Sequence, residues 1–263
     1  MICNNVAGLR MIKSKIVGIS VYIFIITCIF YSCMNLKTHK PIKHNNSLKV
    51  VKDYSVGAQN FVYLFKTVEP KIDCPTTECA GVISSTASGL VFSSYKNTVF
   101  ILTADHFCQS DEKTSMMFKE EIIGVAGDKY RELYVLKQDK ENDLCMLFGI
   151  KEKNESFKNI KIANNFVVGE DVYTVAAPNS IGGPGIRMVF TGKLSGCNDT
   201  ECITTMAASF GSSGAGIYNS KHELITIIMA IPSGFNHVIF SPSTNDIKIF
   251  IRNIDDLIDI YSY

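Results

Sequence analysis

Residues 101–108 read I-L-T-A-D-H-F-C: an apolar run that closes on Thr-Ala and delivers His106 at its mouth. With the residues before it (T-V-F-I-L-T, 98–103) the run is rich in β-branched and aromatic side chains, which favour a pleated, half-buried strand. The same pattern recurs on both sides. F-V-Y-L-F (61–65), G-V-I-S-S (81–85), S-G-L-V-F (88–92), R-E-L-Y-V-L (131–136), C-M-L-F-G-I (145–150), D-V-Y-T-V-A (171–176) and M-V-F-T-G-K-L (188–194) are short runs of this kind. Clusters of Gly, Asn, Asp or Lys bound them at regular spacing. Helical periodicity appears only in D-I-K-I-F-I-R-N-I-D-D-L-I-D-I-Y (246–261). The polar stretch K-E-K-N-E-S-F-K-N (151–159) divides the strands into two near-equal groups. An all-β chain with two small antiparallel barrels and a C-terminal helix is expected, the first barrel running to about residue 155 and the second from about residue 160.

The 263 residues, 46% of them hydrophobic, suffice to bury a sizeable core. Net charge is +1 but unevenly spread. Residues 1–52 hold eight Lys or Arg and no acid; the remainder holds eighteen bases against twenty-five acids. A folded domain with that surplus of acid repels phosphate backbones, so a nucleic-acid partner is not expected. Residues 16–34 carry no charge and follow Arg10, Lys13 and Lys15, which marks 1–34 as a signal peptide or membrane anchor. The segment ends F-Y-S-C, a loose bacterial lipobox with Cys33 as lipidation candidate, and from Met11 it has the proportions of a lipoprotein signal. A retained anchor and an ordinary cleaved signal are the alternatives. Residues 35–53, rich in Lys, Asn and His, read as a tether to a domain spanning 54–263. The catalytic or binding domain is thus expected outside the cytoplasm, held to a membrane.

Three stretches carry chemically useful side chains. Taken singly, each has a bland reading: His106 as a structural residue at a strand end, Asp143 in E-N-D-L-C-M (141–146) as a turn residue, and G-S-S-G-A-G (211–216) as a Gly-rich turn. Taken together they supply a base, an orienting carboxylate and a nucleophile. A serine hydroxyl attacks poorly until an imidazole accepts its proton, and the imidazole needs a carboxylate to fix its tautomer.

The wording of these stretches resembles the trypsin-like serine proteases: L-T-A-D-H their L-T-A-A-H, N-D-L-C-M-L their N-D-I-A-L-L, and G-S-S-G-A-G their G-D-S-G-G-P. The order His, Asp, Ser is that of chymotrypsin. V-V-G-E-D-V-Y-T-V-A-A-P-N-S-I-G-G-P (167–184) and E-L-I-T-I-I-M-A-I (223–231) are similar to the HtrA (DegP) branch. The resemblance covers roughly residues 80–235. It implies two six-stranded barrels of chymotrypsin type and a serine endopeptidase in which His106 is base then acid, Asp143 its orienter and Ser213 the nucleophile. Gly211 and Ser213 would offer the N–H groups of an oxyanion hole, with Gly214 and Ala215 allowing the turn. Polypeptide is the implied substrate, and no cofactor or metal is needed. Ala207, Ala208, Ile228, Met229 and Ala230 would line the primary pocket; with Ala207 where trypsin has Asp, cleavage after small or medium apolar residues is implied. Ser212 stands where trypsin has the Asp of its zymogen switch, and Asp105 replaces the Ala before the histidine. About thirty residues follow the last pocket strand, too few for the PDZ domain that HtrA proteins usually add. Oligomeric state stays open.

Beyond Cys33 the chain has Cys74, Cys79, Cys108, Cys145, Cys197 and Cys202. In an exported chain an even number favours disulfides. Pairs 74–79 and 197–202, both within C-x-x-T-E-C, and 108–145, flanking His106 and Asp143, are the expected set; zinc held by the two short pairs is the rival. The sequons at Asn154 and Asn198 matter only in a eukaryotic host. Two other functional classes remain: a catalytically silent protease-like module binding peptides or partners at the cell surface, and a tethered structural β protein whose His106 and Ser213 do not meet.

Overall fold

A computed structural model describes residues 53–70, 82–110, 118–181 and 183–252. The apolar stretch 16–34, Cys33, the tether up to residue 52, and Cys74 and Cys79 lie outside these residues. Among the described residues no helix is long and apolar enough to cross a membrane.

A short helix α1 (Ser55–Asn60) leads into the first barrel: β1 (Phe61–Pro70), β2 (Val82–Tyr95), β3 (Thr98–Ala104), β4 (Phe118–Ala126), β5 (Lys129–Asp139) and β6 (Leu144–Ile150). All pairings are antiparallel, and the ladder closes in the order β1-β2-β3-β6-β5-β4. The stretches G-V-I-S-S and S-G-L-V-F, which read as two strands, are one fourteen-residue strand β2 with an irregularity between Val91 and Ser93. A strand that long must bend to stay in a small barrel, and an extra unpaired residue supplies the bend.

The second half holds β7 (Asp171–Ala176), β8 (Met188–Cys197), β9 (Glu201–Thr205), β10 (Gly216–Asn219), β11 (Leu224–Ile227) and β12 (Val238–Pro242), in the order β11-β10-β7-β8-β9-β12. Its two edges meet just beyond β11. There the Met229 and Ala230 N–H groups donate to the Phe240 carbonyl, and the Phe240 N–H donates to Ala230. The architecture is therefore that of two six-stranded barrels, the second closed by a few bonds rather than a full ladder. Helix α3 (Thr244–Ile251) follows β12, opened by a capping box in which Ser243 and Asp246 exchange side-chain and backbone bonds.

Three layers of core explain why β3 and β6 read as continuous apolar runs rather than alternating ones. Val99 and Ile101, with Cys145 and Leu147, face the interior of the first barrel. Their neighbours Phe100, Leu102, Leu144 and Met146 face outward and pack with Tyr173, Tyr218, Leu224 and Ile227 of the second barrel and Phe250 of α3. Both faces are dry over 99–102 of β3 and 144–147 of β6, so every residue in those two runs is apolar. Each fully buried side chain of this size contributes about 1.5–3 kcal/mol. The second barrel has its own interior, including Val172, Leu194, Ile217 and Ile239.

Candidate active site

β3 and β6 are direct partners, with Ala104 opposite Leu144. Both strands leave the sheet at the same end, so the residues just beyond Ala104 and just before Leu144 must lie side by side. The Asp105 N–H donates to the Asp143 carbonyl at 3.0 Å. A four-residue helical turn α2 (Asp105–Cys108) then lifts His106 above the sheet. Asp143 adopts the left-handed conformation (φ 52°), which Asp tolerates better than most residues. Its Oδ1 accepts the His106 backbone N–H at 2.7 Å, and its Oδ2 lies 2.8 Å from His106 Nδ1. Since an ionised carboxylate only accepts, Nδ1 carries the proton and Nε2 is left as the acceptor. The hydrogen bond from Asp143 raises the His106 pKa above its ordinary value; partial burial opposes this, and the charges of Asp143 and Asp105 add to it.

Two features fasten this half of the site. Cys108 and Cys145 form a disulfide, two residues beyond His106 and Asp143 respectively. Asp105, which stands where the resemblance has Ala, is fully buried. Its carboxylate accepts from Gln109 Nε2 at 2.6 Å and Gln138 Nε2 at 2.7 Å. A second disulfide joins Cys197 to Cys202 across the β8–β9 hairpin. The two disulfides among the described residues point to an oxidising, extracytoplasmic compartment.

Ser213 stands on the loop between β9 and β10. It shares with His106 a cleft of about 510 Å³, lined also by Ser209, Phe210, Met229, Ala230, Ile231 and Pro232. Gly211 and Gly214 have φ near +85°, a conformation costly for any other residue. A Cβ on Gly214 would run into Thr103 Oγ1 and the Ser88 carbonyl, so only glycine fits between the two barrels there. The carbonyls of residues 209–213 are all engaged: Ser209 with the Ser212 N–H, Phe210 with Asn179 N–H, Gly211 with Ser88 Oγ, Ser212 with Ala215 N–H, and Ser213 with Ser88 N–H. By contrast, the N–H groups of Gly211 and Ser213 have no hydrogen-bond partner among the described residues. Two unpaired amides beside a serine hydroxyl are what a developing oxyanion requires.

The family described as "Trypsin-like peptidase domain" matches residues 87–227, more than half of the chain. The chain belongs to the trypsin-like peptidase family. Membership places it among the serine-protease hydrolases. The fold of this trypsin-like peptidase is similar to that in the crystal structure of the serine endoprotease from Yersinia pestis, with a TM-score of 0.57 and 22% identity. The match covers 76% of this chain and 65% of that one, so the peptidase spans less than two thirds of its structural relative. No curated protein sequence matches it.

The residues expected to line the primary pocket separate into two groups. Met229 and Ala230 line the cleft. Ala208 and Ile228 instead point into the interior of the second barrel, and Ala207 is exposed away from the lining. Ile228 continues the alternation of β11, whose inward positions belong to the core, so its side chain is spent on packing. Sequence reading also missed Ser209, Phe210 and the 231–236 turn as cleft residues, and Ser88 and Asn179 as partners of the serine loop. Asn179, with φ 50° inside A-P-N-S, carried a local signal, since Asn tolerates left-handed backbone. Ser88, in an ordinary strand, carried none.

Proposed function

We propose that the protein is a serine endopeptidase that cleaves polypeptides through an acyl-enzyme. The observation that carries this reading is the juxtaposition of the His106–Asp143 pair with Ser213 in one cleft, beside two unpaired amides. His106 Nε2 takes the Ser213 proton as the hydroxyl attacks the scissile carbonyl, and returns it to the leaving amine. Asp143 holds the ring and stabilises the imidazolium. The Gly211 and Ser213 N–H groups receive the oxyanion; such donors are worth roughly 3–4 kcal/mol each. Water then enters by the same base to release the acyl group, so the chemistry needs no cofactor.

Among the lining residues His106 is the one titratable group, and the others are small, apolar or neutral. A cleft of that kind leaves a buried cation or carboxylate uncompensated. The preferred residue before the cut is therefore small or medium and apolar. The likeness of 167–184 and 223–231 to the HtrA branch agrees with a peptidase working outside the cytoplasm, and residues 1–34 would tether it to a membrane.

Incubating the full-length protein and its Ser213→Ala variant with a fluorophosphonate probe tests the assignment. Labelling of the wild type alone is expected. Absence of labelling in a folded wild type would move the chain to the class of silent peptide-binding modules, and equal labelling of both would mean that another serine reacts.

A further inference from the structure

Ser88 lies on β2 of the first barrel, is fully buried, and spends every polar group it has on the serine loop or its neighbours. Its Oγ donates to the Gly211 carbonyl at 2.8 Å and accepts the Ala177 N–H at 3.0 Å. Its own N–H donates to the Ser213 carbonyl at 2.9 Å. Its carbonyl accepts from Thr103 Oγ1 at 2.8 Å, three residues before His106. One residue is thus bonded to the carbonyl on each side of the Ser212 unit, to the end of β7 and to the strand that delivers the base.

We propose that Ser88 is a positioning residue for the oxyanion hole: its hydroxyl fixes the Gly211 peptide so that the two reactive amides stay turned toward the cleft. The inference rests on the peptidase reading above. It follows from the geometry of a trans peptide, whose N–H points opposite to its C=O. The Phe210 carbonyl is held by the Asn179 N–H, so the Gly211 N–H is directed away from Asn179. The Gly211 carbonyl, on the following peptide, is held by Ser88 Oγ, so both peptide planes that meet at Gly211 are anchored. Glycine at 211 offers no steric resistance of its own to a turn of either plane. Without the hydroxyl, the Gly211 carbonyl and the Ala177 N–H are left buried and unpaired, and a flip of the loop is the cheapest way to pair them. The flip would remove one donor from the hole while leaving His106, Asp143 and the Ser213 side chain in place.

The test compares Ser88→Ala with the isosteric pair Ser88→Thr and Ser88→Val in the full-length protein, with folding checked by near-ultraviolet circular dichroism. The readouts are the second-order rate of fluorophosphonate labelling and its dependence on pH. Ser88→Ala and Ser88→Val are expected to label at least tenfold more slowly than wild type at an unchanged midpoint pH. Ser88→Thr, which keeps the hydroxyl, is expected to return to within about threefold. Should Ser88→Ala be too unstable to fold, the Thr–Val comparison decides alone, because those side chains differ only in the hydroxyl. Equal rates for Thr and Val, or a shift in the midpoint pH, would overturn the proposal, the shift by tracing the defect to the His106–Asp143 pair. An unlabelled, folded wild type would overturn the peptidase reading and this inference with it; a labelled wild type with an unaffected Ser88→Val overturns this inference only.

Discussion

The two barrels contribute to the cleft by different means. The first closes its ladder completely and sets His106 and Asp143 at the ends of two strands that pair with each other, with a disulfide two residues further along each. The second leaves its sheet nearly open at Met229–Ala230 and presents Ser213 on a loop whose carbonyls are tied down by hydrogen bonds. Two of those bonds come from the first barrel, both from Ser88. On the proposed mechanism, the half that would handle the proton is built into the sheet, whereas the half that would meet the carbonyl oxygen depends on outside support. Damage to the first half should therefore appear as lost base function in an intact loop, and damage to the second as lost transition-state binding with a normal base.

The largest expected effect breaks the first half. Asp143→Asn keeps the left-handed turn, which Asn also tolerates, but presents an amide to His106 Nδ1 and favours the wrong tautomer. The turnover rate should fall by roughly 10⁴ with the fold retained. A loss below tenfold, measured against any peptide substrate, would mean that Asp143 does not orient the base.

Next comes a comparison of cross-links. The Cys108–Cys145 bond spans 37 residues and the Cys197–Cys202 bond five. On loop-closure entropy, replacing the first pair by Ala should cost about 4 kcal/mol and the second about 2 kcal/mol. Guanidinium unfolding of the two double variants measures the difference. Equal costs would show that the first barrel gains no special constraint from its disulfide.

The smallest effect concerns pH. His106 must be neutral to accept a proton, and the bond from Asp143 raises its pKa, so the acidic limb of the activity profile is expected at higher pH than an unpaired histidine would give. Asp105 contributes to that rise, though less than Asp143, so Asp105→Asn should move the limb to lower pH. A limb that stays fixed would show that the Asp105 charge is screened from the ring. In stability the sign is that of a raised group. The His106–Asp143 contribution is fully present below the unfolded histidine pKa and is lost as pH rises through the higher folded value.

What the sequence made legible follows the same division. His106, Asp143 and Ser213 stood out because each sits in a short motif whose neighbours serve it directly: a strand end, a turn, a pair of glycines. The β pattern was legible because strands 98–104 and 144–150 carry apolar residues on both faces. Ser88 was hidden because its partners Gly211 and Ala177 are 123 and 89 residues away, and no local pattern encodes such a bond. The buried state of Asp105 was hidden for the same reason, since it depends on Gln138, 33 residues on. Ala208 and Ile228 were misplaced because a pocket wall and a barrel interior both call for small or apolar residues. Only the direction of the side chain separates them, and that is set by register.

Phe210 offers a way to observe the cleft. The residue is 88% exposed at the lip of the site, next to Gly211, where packing places no demand on it. The chain contains no tryptophan. An indole introduced as Phe210→Trp would thus be the sole such emitter in the molecule, dark-field illumination for a single loop. Its colour would shift from that of a wet ring toward that of a dry one as a peptide backbone settled over it, and would shift back on release.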